Sequence, residues 1–144
     1  MSLKEWKMKF YPKSAAQIVA EGATEEELLE HALLKWKGLR KEEREAYGLQ
    51  LSSRLLYEES NTYADFFVDG HSCSLCEAYN SSCFKCPIGQ FLPHRLHRLQ
   101  EEEEACLYEY WKLLHKDDPE PMISLLERVL AWVKGGKCND SQTS

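Results

Sequence analysis

The sequence predicts a small, mainly α single domain in which a four-cysteine loop separates an N-terminal helical part from a C-terminal antiparallel helix pair. Three observations predict it: apolar residues recur at helical spacing over 24–37 and again over about 94–134, capping signatures precede several of these runs, and four cysteines crowd into residues 73–86. A length of 144 residues fits one domain. With 43% apolar and 29% charged residues, the composition excludes global disorder and collagen-like structure.

Residues 1–13 mix Lys4, Lys7 and Lys9 with Trp6, Phe10 and Tyr11 and read as a basic, aromatic arm or edge strand. Trp6 stands there as a candidate binding aromatic, whereas Trp36, Trp111 and Trp132 lie among apolar residues and read as core. The helical part spans 14–65. Ser14 and Gln17 form a capping-box signature for a short helix over about 14–21, stopped by Gly22. Thr24 and Glu27 repeat the signature ahead of Leu28, Leu29, Ala32, Leu33 and Trp36, a stripe that Gly38 ends. His31 beside that stripe reads as packed. A charged helix follows over about 40–47. Residues 49–68 are mixed, because Leu51, Leu55 and Leu56 fit a helix turn while Tyr63, Phe66, Phe67 and Val68 favour extended chain.

The cysteine loop occupies 66–93, entered through the turn signal Asp69-Gly70. The helix pair spans 94–134. Its first member runs from about His94 to His115, with Leu96, Leu99, Cys106, Leu107, Tyr110, Trp111 and Leu114 on one stripe. Asp118 as N-cap and Pro119 at the first helical position open the second, whose apolar positions run from Met122 to Val133. Gly135-Gly136 closes it, and 135–144 reads as a flexible polar tail.

The cysteines fall as Cys73-x-x-Cys76, six residues, then Cys83-x-x-Cys86-Pro87. Each pair can wrap a tight turn that aims two sulfurs at one point, and two such turns supply the four thiolates of a closed tetrahedral zinc site. An iron–sulfur cluster of ferredoxin type uses a different spacing. Thioredoxin-like redox chemistry lacks its βαβ surroundings, and the fungal binuclear zinc cluster needs six cysteines with several lysines between them. Four thiolates leave no position for a reactive water, so Zn2+ here is a structural staple unless His71 or His94 replaces one cysteine. Cys106 and Cys138 read as a buried small side chain and a tail thiol.

Charge divides unevenly. Residues 1–44 hold nine Lys and Arg against eight Asp and Glu, whereas 45–144 hold nine against sixteen. The overall −6 disfavours nonspecific adhesion to phosphate backbones. No apolar run follows the first basic residue and no segment approaches the length of a spanning helix, so no membrane partner and a cytosolic location are expected. No Ser/His/Asp order, phosphate-cradling glycine loop or zinc-protease motif is present, and enzymatic activity is not expected. Lys85, Arg95 and Arg98 beside the loop are candidates for phosphate contact. The run Glu101, Glu102, Glu103 and Glu104 would oppose it.

Three stretches carry a resemblance: Glu30–Arg40, the loop from Cys73 to Ile88 and the segment Asp118–Glu127. Together they resemble a set of small proteins encoded by tailed bacteriophages and prophages. The resemblance spans most of 24–134 and implies a phage origin and a cysteine-bound metal, with no assigned activity. Such proteins commonly bind a host protein in the host cytosol. The expected function is therefore a zinc-stabilised phage accessory protein that binds and modulates, by inhibition, a host transcription or antiviral-defence component. Leu75, Tyr79, Phe84 and Glu101–Glu104 are the candidate contact residues. A nucleic-acid-binding zinc protein using Lys85, Arg95 and Arg98 is the second reading, and a metal-dependent nuclease the third.

Overall fold

The computed structural model describes residues 2–52, 54–58, 61–68, 72–80, 82, 85–92 and 107–137; of residues 61–64, 107, 108, 111 and 114 it describes the backbone alone. The N-terminal residues form a helix, not a basic arm or edge strand. Ser2, extended at φ −156 and ψ 168, accepts from the Glu5 amide at 3.2 Å and starts helix α1 (Leu3–Phe10). Leu3, Trp6 and Phe10 fall on one side at spacings of three and four, and all are buried. Trp6 is thus core: it is 0% exposed, and its Nε1 donates to the Gly38 carbonyl at 2.8 Å.

Helix α2 (Ala15–Ala20) begins where Ser14 accepts from the Gln17 amide at 3.1 Å, and Gly22 turns the chain at φ +78. Helix α3 (Glu25–Lys37) carries the full capping box: the Thr24 hydroxyl accepts from the Glu27 amide at 3.2 Å, and the Glu27 carboxylate accepts from the Thr24 amide at 2.8 Å. Gly38 ends it at an ordinary φ of −70, so the glycine answers a need for space. A Cβ there would lie 2.5 Å from Cγ of Phe10. Helix α4 (Lys41–Ala46) follows.

Residues 49–67, placed by sequence largely within a helical part, instead form a three-stranded antiparallel meander. Strands β1 (Leu49–Ser52), β2 (Leu55–Glu58) and β3 (Asn61–Phe67) pair in the order β1-β2-β3, with Leu51 opposite Leu56 and Leu56 opposite Phe66. The fold is therefore mixed helix and sheet, not mainly α. The physical reason is the period of two: Leu49, Leu51, Leu56 and Phe66 share the inner face, while Gln50, Ser52 and Phe67 alternate outward. Phe66 wedges against α1 and the residue after it, its ring 5.5 Å from Trp6 and 4.8 Å from Tyr11. Glu58 closes the contact from the other side by accepting from the Leu3 amide.

Two short helices, α5 (Ser74–Ala78) and α6 (Pro87–Phe91), lie in the cysteine segment, and α7 (Leu107–Lys116) and α8 (Glu120–Lys134) end the described chain. The turn between α7 and α8 is closed by a left-handed αL cap. Asp117 sits at φ +52, its amide donates to Leu113 O at 3.1 Å, and the Asp118 amide donates to Lys112 O at 3.3 Å. Asp118 then accepts from the Glu120 amide at 3.1 Å with Pro119 at helical φ −82, ψ −10. From α4, buried Arg44 donates to the Asp117 carboxylate and, at 2.9 Å, to Leu39 O.

The expected C-terminal helix pair does not organise this end of the molecule. Helix α8 packs chiefly against α3, with α6 and α7 as lesser neighbours. A short connection makes α7 and α8 adjacent, but burial follows the widest apolar surfaces. Leu29, Ala32, Leu33 and Trp36 of α3 and Met122, Ile123, Leu126, Val129 and Trp132 of α8 are all buried. Helix α7 bridges instead, with Tyr110 edge-on to Trp36 at 6.2 Å and its hydroxyl donating to Val68 O. Among the described residues no helix is long and apolar enough to cross a membrane.

Candidate metal centre

The first cysteine pair is built onto α3. Cys73 stands extended at the N-cap of α5, at φ −93 and ψ 120, and its carbonyl accepts from the Glu77 amide at 3.1 Å, which fixes one turn with Cys76 inside it. The flanking serines hold this turn down. Ser74 is fully buried and its hydroxyl donates to Leu28 O of α3 at 2.7 Å; the Ser72 carbonyl accepts from the Tyr11 hydroxyl at 3.0 Å. Lys35 of α3, 1% exposed, donates from Nζ to the Ser72 hydroxyl at 3.2 Å. Cys86 is held differently. The Lys85 and Cys86 amides both donate to Ser82 O, at 3.1 and 3.0 Å, and Cys86 then caps α6 with Pro87 at its first position.

Cys73, Cys76 and Cys86 are half-buried thiols. The Cys76 thiol donates to the Cys73 sulfur, and this hydrogen bond does most to pull the Cys73 pKa down to about 6. Burial opposes the shift. The Lys35 charge assists it, as do the Cys76 and Leu75 amides, which approach the sulfur without a full capping hydrogen bond. Cys73 is poised as thiolate, the form that binds metal and reacts. Among the described residues no three His, Cys, Asp or Glu side chains converge on one point. Cys83, the ligand expected beside Cys86, lies outside the described residues, as do His71 and His94.

Other expected site residues fare unequally. Leu75 is 1% exposed and packs among the helices, so it is not a partner contact; the turn that aims Cys73 and Cys76 at each other points Leu75 inward, where α2 and α3 cover α5. Tyr79 is half-buried, and its hydroxyl donates to Glu25 Oε2 at 3.2 Å. Burial first, then the Glu25 charge, pushes its pKa up to about 12. Lys85 is exposed. Phe84, Arg95, Arg98 and Glu101–Glu104 lie outside the described residues, with Cys106 and Cys138.

Sequence reasoning missed Lys35, Ser72, Ser74 and Tyr11, which surround the first pair. One signal was available: Lys35 follows Leu28 by seven residues and Ala32 by three, so a lysine occupies the apolar stripe of α3. Comparison with family models, with curated proteins and with solved structures finds no match to this chain.

Proposed function

We propose that the chain is a zinc-stabilised phage accessory protein that binds and inhibits a host protein involved in transcription or antiviral defence. The observation that carries the metal part is the first cysteine pair: the Cys76 thiol donates to Cys73 on a turn fixed by buried serines, which holds Cys73 toward the thiolate a thiophilic divalent cation requires. Cys73, Cys76, Cys83 and Cys86 would hold Zn2+, which supplies a closed structural crosslink to this segment. Partner binding is supported by the resemblance to phage proteins and by charge. The acidic 45–144 part is suited to a basic surface of a nucleic-acid-handling host protein, which it would block by charge mimicry. With Leu75 in the core, Tyr79 and Phe84 are the contact residues that remain, with Glu101–Glu104.

The test is capture from a bacterial lysate on the immobilised zinc-loaded chain, followed by titration of the identified protein in purified form. A defined partner should bind directly and be lost on Phe84→Ala or Tyr79→Ala. Mobility shifts with short DNA and RNA at low salt should show nothing tighter than the nonspecific range of roughly 10⁻⁴–10⁻⁶ M. Submicromolar nucleic-acid binding that depends on Arg95 and Arg98, with no protein captured, overturns the proposal.

A further inference from the structure

A lysine with 1% of its surface exposed needs a reason, because an ammonium taken out of water is costly unless charge and hydrogen bonds compensate it. Lys35 reaches from the apolar stripe of α3 to Ser72, the residue before Cys73. Ser72 is itself 7% exposed and is held a second time by Tyr11, whose hydroxyl also accepts from the Ala15 amide at 2.9 Å. The ammonium therefore sits within a buried network that reaches the first cysteine pair. Four thiolates around Zn2+ carry a net charge of −2, and a half-buried cluster of that charge is stabilised by a cation nearby.

We infer that Lys35 is a positioning residue of the metal centre: its buried ammonium supplies counter-charge to the thiolate cluster and, through Ser72, sets the Cys73 turn before metal arrives. This rests on the zinc reading above. Groups behind the ligands typically change metal affinity by 10–100-fold when removed. Lys35→Met keeps the aliphatic stem packed while deleting charge and donor.

Zinc affinity is measured by competition with a chromophoric chelator, and the melting temperatures of the apo and zinc-loaded chains are compared. Lys35→Met should bind zinc roughly 10–100-fold more weakly, with a smaller rise in melting temperature on loading, while the apo chain melts no lower than the wild type. Ser72→Ala, which leaves the buried charge in place, should weaken binding in the same direction but less, and it decides the matter if Lys35→Met does not fold. Unchanged zinc affinity in the folded variants overturns the inference, as does an equal loss of melting temperature with and without zinc, the mark of a purely structural lysine. Cobalt loading of the wild-type chain separates the two levels: absence of the tetrahedral thiolate–cobalt spectrum and of stoichiometric zinc refutes the metal reading itself.

Discussion

Replacing Gly38 by alanine tests whether α1 docks as described. At φ −70 the substitution meets no backbone strain, so by itself it should stabilise by about 0.4–1 kcal/mol through the unfolded chain. The new methyl, however, would stand 2.5 Å from Cγ, 2.8 Å from Cβ and 2.8 Å from Cδ2 of Phe10, which is 5% exposed. Relief requires moving α1, and the Gly38 carbonyl is also the acceptor for Trp6. Overpacking of this kind costs about 1–3 kcal/mol, so a net loss of about 1–2 kcal/mol is expected. Urea titration followed by tryptophan fluorescence reads it as a midpoint about 0.5–1 M lower, at a slope of about 2 kcal/mol/M. Repeating the substitution in a Phe10→Ala chain removes both ring atoms and leaves only the Cβ contact. The loss should then shrink by about 1 kcal/mol, a coupling of the size expected for touching residues. Gly38→Ala that stabilises the protein, or that costs the same in both backgrounds, refutes the packing of α1 across the end of α3.

Purified protein is expected to hold about one zinc per chain, lost in the Cys73→Ser/Cys83→Ser double variant; iron on elemental analysis, or retained zinc, defeats this, and chelation should speed hydrogen exchange within 66–93. His31 is 8% exposed, its Nε2 meets Lys13 O at 2.7 Å and its Nδ1 has no partner, so burial lowers its pKa below the usual histidine value. The folded chain therefore binds this proton less readily than the unfolded chain, and the stability that neutral His31 contributes is full above about pH 6.5 and declines as pH falls below it. His31→Phe should flatten the urea midpoint between pH 7.5 and 5; an unchanged slope refutes the assignment. Arg44→Met should cost about 1–3 kcal/mol by stranding Leu39 O, while Asp117→Gly, which relieves φ +52 and loses a half-exposed ion pair, should stay within about 1 kcal/mol of wild type in the same titration.

What the sequence revealed depended on whether a signal was local. The Thr24–Glu27 capping box and the glycine after Lys37 delimit α3 because capping is chemistry within four residues. The sheet was illegible because each of β1 and β2 has only four residues, too few to establish alternation, and Leu51, Leu55 and Leu56 happen to fit a helix turn. Helix α1 was hidden by its three lysines, although Ser2, Glu5 and the 3-6-10 spacing of its buried residues were present. Cysteine spacing identified the candidate ligands. It said nothing of Lys35 or Ser74, whose roles depend on α3 lying beside a segment about 40 residues later, nor of the inward turn of Leu75.

The pairing of α3 with α8 also has a consequence for synthesis on the ribosome. The apolar stripe of α3 is complete once Lys37 has emerged, but the surface that covers it ends at Lys134. At about 5–20 residues per second, those 97 residues take roughly 5–20 s to follow. Throughout that interval Leu29, Leu33 and Trp36 lack their final cover, so the nascent chain presents a sticky helix that chaperones would engage. Fragments halted before residue 120 should aggregate, whereas release of the whole chain should let α8 close over α3 in a late, concerted step.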